Sequence, residues 1–155
     1  ALNKKAWTVY QRRDFSRVDE GIQLASRAIG LSSHKVYYHT LASLFGMASR
    51  WEEAFAQTGF FLNDEEMLKK FPEDIISFIV EAAANGQDEA SLHAIEGTKA
   101  ESVMEPLLVA LKMLTNIPFR APQEVIEVAN DVVKRIEKRA KELKKEGGKP
   151  KAELA

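Results

Sequence analysis

Between Tyr38 and Ala54 the chain reads Tyr-His-Thr-Leu-Ala-Ser-Leu-Phe-Gly-Met-Ala-Ser-Arg-Trp-Glu-Glu-Ala, and this stretch constrains the fold more than any other. Leu41 and Phe45 lie four apart, which puts them on one face of a helix. Ala42 and Ala54 are small enough for two helix backbones to approach closely while the larger side chains fill the remaining space. A helix with a tightly packed helical mate follows, one unit of a stack.

Two further segments support stacking. Asp14-Phe15-Ser16-Arg17-Val18, Arg50-Trp51-Glu52-Glu53-Ala54 and Gly86-Gln87-Asp88-Glu89-Ala90 succeed one another at a spacing of 36 residues. A helical hairpin cannot bury its apolar face alone, so a fixed interval of this size is what neighbouring hairpins that complete one another produce. Tyr38, Leu41, Ala42, Phe45 and Ala54 also fill, at the right separations, the slots of the tetratricopeptide pattern, whose period is roughly 34 residues. The segment resembles that family. Thr58 and Glu66 depart from it, standing where the family has a large residue and its closing proline.

The resemblance implies an all-α fold: a short TPR-like α-solenoid of three antiparallel helical hairpins with a longer C-terminal capping helix. The expected organisation is a single helical-repeat domain over 1–146 and a flexible basic tail over 147–155. In the family the first helix of each pair lines a concave groove that holds a partner polypeptide. Carried onto this chain, that groove face includes His39, Ser43 and Met47. Met47 suits the role because a flexible thioether adapts to a partner's surface.

Read in order, the first helix is expected from Lys4 to Arg12, with Trp7 and Tyr10 on one side. A second follows Asp14, carries the stripe Val18, Ile22, Ala25 and Ile29, and ends at Gly30. Ser32 and Ser33 are suited to cap the central helix, which runs to about Ala48, and Arg50 to Leu62 is its mate. Asn63, with Glu66 three positions later, forms a capping-box variant ahead of a brief helix that Pro72 interrupts. The next helix begins near Pro72, carries Ile75, Ile76, Phe78, Ile79 and Val80, and closes at Gly86. Gln87 to Glu96 is its short partner, ended by Gly97. An apolar helix with Val103, Leu107, Leu108, Ala110, Leu111 and Leu114 spans about Lys99 to Thr115, or takes its first turn at Pro106. After a proline-bounded loop at 117–122, a last helix from Pro122 to about Glu146 carries Val125, Ala129, Val132, Ile136, Ala140 and Leu143.

Composition narrows the function. The 155 residues include no Cys, which removes disulfides, thiolate nucleophiles and thiolate metal sites together. Of the three histidines, His34 and His39 are five apart, about 140° around a helix, and cannot share a metal on one face. No Gly-x-Ser-x-Gly elbow occurs, and the eight glycines are scattered as helix terminators rather than gathered to cradle phosphate. Pairs such as Glu52-Glu53 and Asp88-Glu89 open helices, where the dipole favours negative charge. No catalytic residue, metal or cofactor is expected; the reading is a non-enzymatic protein-interaction or scaffolding module.

The rival reading rests on charge. From Lys134 to Lys151 nine basic and three acidic residues give about +6, against a total of −1 for the chain. Such a segment could let a compact helical-bundle adaptor contact nucleic acid or another acidic partner, although it has no aromatic residue to stack on bases. The apolar stripe of the last helix also suits a homodimer. No apolar run approaches the roughly 18 residues of a membrane span, and a cytoplasmic location is expected. The chain begins with Ala1, as a processed protein or a fragment of a longer one does.

Overall fold

The computed structural model describes residues 1–115, together with 123, 124, 126, 127, 130, 131, 134 and 138. Every regular element among the described residues is helical, so the fold is all-α. Helix α1 (Leu2–Gln11) buries Ala6 and Val9 and ends in a turn where Arg13 takes a left-handed conformation, φ 51°. A 3-10 turn at Phe15–Arg17 leads into α2 (Val18–Leu31), whose first turn carries Asp19 and Glu20 at the positive end of the helix dipole. Gly30 does not end α2. The helix continues through it and stops at the extended Ser32, because a glycine in a last turn costs a helix only about 1 kcal/mol. Gly21, by contrast, marks a close approach: a Cβ there would meet Leu44 at 3.1 Å and Val9 at 3.4 Å.

Helix α3 (Lys35–Met47) is buried without interruption from His39 to Met47. Its cap is His34, not Ser32 or Ser33, and no side chain bonds its first turn. Ser32 is drawn into a preceding turn, its carbonyl accepting from the His34 amide at 2.9 Å. A left-handed Ser49 (φ 59°) reverses the chain, with the Arg50 amide donating to the Phe45 carbonyl at 2.8 Å.

The mate of α3 is two short helices, α4 (Trp51–Phe55) and α5 (Gly59–Leu62), rather than the continuous one expected. At the break the Thr58 hydroxyl donates to the Phe55 carbonyl at 2.8 Å, the local side-chain bond that competes with a helical ladder. Helix α6 (Glu65–Lys70) is capped by Asp64, whose carboxylate accepts from the Met67 amide at 3.0 Å. Asn63, the expected cap, instead accepts from the Lys99 amide at 3.0 Å, bridging 36 residues.

Pro72 opens α7 (Pro72–Ala84) at N1 and Gly86 closes it with φ 85°. Helix α8 (Asp88–Ile95) precedes Gly97, also left-handed at φ 77°. The last apolar segment divides at Met104 into α9 (Ala100–Val103) and α10 (Glu105–Thr115), with Pro106 in the first turn of α10. There its missing N–H breaks no intrahelical bond. Val103, expected inside, is exposed.

Consecutive helices pack on one another: α1 on α2, α2 on α3, α7 on α8. Helix α3 also touches α1, α4, α5 and α7, while α8 meets α10. Its position among five neighbours explains its burial. Beyond Thr115 the eight described positions are helical, and all except Ile126 are exposed. The stripe Val125, Ala129, Val132, Ile136, Ala140 and Leu143 lies outside the described residues, as does the tail at 147–155.

Candidate interaction surface

His39, Ser43 and Met47 lie together on α3, and all three are buried. The His39 ring stands between Trp7 of α1 (centroids 5.6 Å) and Phe61 of α5 (5.3 Å, edge on). Its Nε2 lies 3.1 Å from the Asp74 carbonyl. A carbonyl only accepts, so Nε2 carries the proton in the neutral ring. Burial pushes the His39 pKa down, only partly opposed by the Asp74 carbonyl and the Asp74 charge. Ser43 donates to the His39 carbonyl at 2.9 Å, and Met47 belongs to the apolar core. The exposure that a groove position needs is therefore absent from all three, because helices pack on every side of this part of α3.

The exposed chemistry of α3 lies one turn earlier. Tyr38 stacks on Phe60 of α5 with centroids 3.9 Å apart and planes 17° from parallel. Phe60 is 42% exposed, a large ring only half covered. The Lys35 ammonium sits 5.7 Å from the Phe60 centroid, and His34 meets Tyr37 edge on at 5.3 Å. Lys35 has no carboxylate partner among the described residues. The result is an aromatic platform with a cation at its edge. Its sequence signal is the pair of doublets Tyr37-Tyr38 and Phe60-Phe61. Adjacent helical positions point about 100° apart, and in the second doublet Phe61 is inside while Phe60 is outside.

Two other constellations bring polar groups together. Tyr10 donates to Glu81 at 2.5 Å, and Arg13 grips the same carboxylate at 2.8 and 3.1 Å, clasping the end of α1 to α7. Burial first, then the Glu81 bond, raises the Tyr10 pKa, which keeps the phenol protonated and makes it a poor base or nucleophile. A shallow cleft of about 520 Å³ is lined by Glu101, Ser102, Glu105, Leu108 and Val109 among others. Glu101 there is already committed, accepting from the Gly97 amide at 3.0 Å.

Among the described residues, no three His, Asp or Glu side chains converge as metal ligands, and no helix is long and apolar enough to cross a membrane. The class these features define is an all-α protein with a half-exposed aromatic platform. No family model, curated protein or solved structure matches the chain.

Proposed function

We propose that the chain is a non-enzymatic helical-repeat module that holds a segment of a partner polypeptide. The observation that carries this reading is the Tyr38–Phe60 stack with Lys35 beside it. Aromatic side chains held rigid at a surface are the usual anchors of protein recognition. Lys35, which has no carboxylate partner among the described residues, sets the polarity of the occupant: a peptide bearing a carboxylate next to a proline or branched apolar side chain. Placing α3 between α1 and α7 supports a stacked arrangement of hairpins, α1 with α2, α3 with α4 and α5, and α7 with α8. The platform replaces His39, Ser43 and Met47 as the contact surface.

An array of random peptides probed with the full chain tests the proposal. Acidic-apolar peptides should be enriched, and Phe60→Asp or Lys35→Glu should weaken their binding at least about tenfold, the scale of a hot spot, with the far-ultraviolet circular dichroism unchanged. No enrichment, or binding indifferent to both substitutions, contradicts it. Lys134 and Lys138, exposed one helical turn apart, favour a second reading in which the basic segment meets nucleic acid. Salt-dependent binding of a nonspecific duplex supports that reading, and no binding at low salt removes it.

A further inference from the structure

The two rings of the platform are chain neighbours of two rings beneath it. Tyr38 precedes His39, and Phe60 precedes Phe61; His39 and Phe61 meet edge on in the interior, 5.3 Å apart. The half-buried Tyr38 and the exposed Phe60 are therefore each joined by one peptide unit to a member of the buried pair. A shift of the His39 or Phe61 backbone is carried directly to Tyr38 or Phe60, whose rings stack on each other.

We infer that His39 is an acid-sensitive wedge under the platform: when the ring gains a proton it displaces Phe61, and with it α5, and unstacks Phe60 from Tyr38. The inference rests on the proposed binding surface for its functional meaning, and on the His39–Phe61 contact for its mechanism.

The chemistry is one proton. In the neutral ring Nε2–H donates to the Asp74 carbonyl, so the incoming proton goes to Nδ1. The surroundings are poor hosts for a cation. Helix α1 presents the Trp7 indole, α5 presents the Phe61 phenyl, and α3 itself commits the Ser43 hydroxyl to the His39 carbonyl. Among the described residues, the charge that acts on the ring is that of Asp74 on α7, an exposed residue. Ring quadrupoles and one exposed carboxylate offset only part of the hydration that a buried imidazolium loses. Burial therefore lowers the pKa relative to the unfolded chain, where histidine titrates near about 6.5. The sign follows: the stabilising effect of a neutral His39 is complete above that value and is lost as pH falls through the unfolded value toward the folded one. Small shifts at such a packed contact pass to neighbours because interiors are close-packed and yield in discrete steps.

Nuclear magnetic resonance of the full chain, without any ligand, tests the inference from about pH 7.5, above the ordinary histidine range, downward until His39 titrates or the chain unfolds. The His39 ring protons and the Phe60 ring protons are followed together. The expected result is loss of the Tyr38–Phe60 ring contact with the same midpoint as His39, and absence of that loss in His39→Gln, whose amide can donate to the Asp74 carbonyl but does not titrate. A Phe60 environment that stays constant while His39 titrates overturns the inference. So does a chain that keeps the ring contact until it unfolds with His39 still neutral. If His39→Gln fails to fold by circular dichroism, the coincidence of the two midpoints in the unsubstituted chain decides alone. Peptide binding is a separate arm. An affinity that drops about tenfold or more over this window in the original chain, and not in His39→Gln, joins the switch to the platform. A switch seen by resonance with no peptide bound at any pH removes the binding surface and leaves the wedge.

Discussion

The interior around α3 is aromatic, and the interior around α10 is aliphatic. Near α3 the rings form a connected path: Trp7 to His39, His39 to Phe61, Phe61 to Phe78 at 6.0 Å, and Phe78 to Phe55 at 5.6 Å and Trp51 at 6.3 Å. That path joins α1, α3, α4, α5 and α7, and the Tyr10–Glu81–Arg13 clasp closes it from outside. Near α10 the buried groups are Ile95, Met104, Leu107, Leu108 and Leu111. Directional ties nearby include the Asn63–Lys99 bond, the Gly97–Glu101 bond and an exposed Lys99–Glu65 pair at 3.6 Å. Edge-on rings and a buried imidazole fix orientation as well as volume. Aliphatic side chains fix chiefly volume, so the first region should accept few substitutions and the second many.

The contrast is most easily broken at Phe61, which is fully buried and touches both His39 and Phe78. Phe61→Ala should cost about 3–5 kcal/mol in urea unfolding; a loss below about 1 kcal/mol would mean that the ring path carries little stability. Gly46→Ala comes next. A Cβ at Gly46 would stand 2.6 Å from the Trp51 ring, and that ring is held by Phe55 and Phe78, so overpacking should cost about 1–3 kcal/mol. An unchanged midpoint would show that Trp51 swings aside freely. The smallest effect belongs to the aliphatic region. Leu111→Met conserves volume and should cost less than about 1.5 kcal/mol, while a larger loss would show that α10 is as exacting as α3.

What could be read from the chain depended on whether the signal was local. Pro72 and Gly86 bound α7 because a ring without an N–H and a left-handed residue act where they stand. The recurring small and large apolar residues likewise marked the packing of Leu41, Phe45 and Ala54, all buried. The cap of α6 went to Asp64 rather than Asn63 because both residue types can cap and the Asn63 side chain is engaged by the distant Lys99 amide. No local rule contains that bond. The break between α4 and α5 has the same character.

The misplaced site residues teach more. Periodicity says which residues share a face, yet not how many faces are covered. A usable signal existed: between Lys35 and Arg50 there is no Asp, Glu, Lys or Arg, and a helix without a charged face is one surrounded by protein. Read that way, His39, Ser43 and Met47 belong inside, and the surface chemistry of α3 moves to its first turns. The half-exposed Phe60 could not be separated from the buried Phe61 without knowing how α5 is rotated, because the short helix has no amphipathic pattern of its own.

The platform and its wedge both require α3 to be the enclosed centre of the described helices. Native-state amide hydrogen exchange measures this residue by residue, since the slowest amides report opening only with global unfolding. The amides of Leu41 through Met47 are expected to be the slowest in the chain, slower than those of Leu107 through Leu111. Equal or faster exchange in α3 would contradict the account.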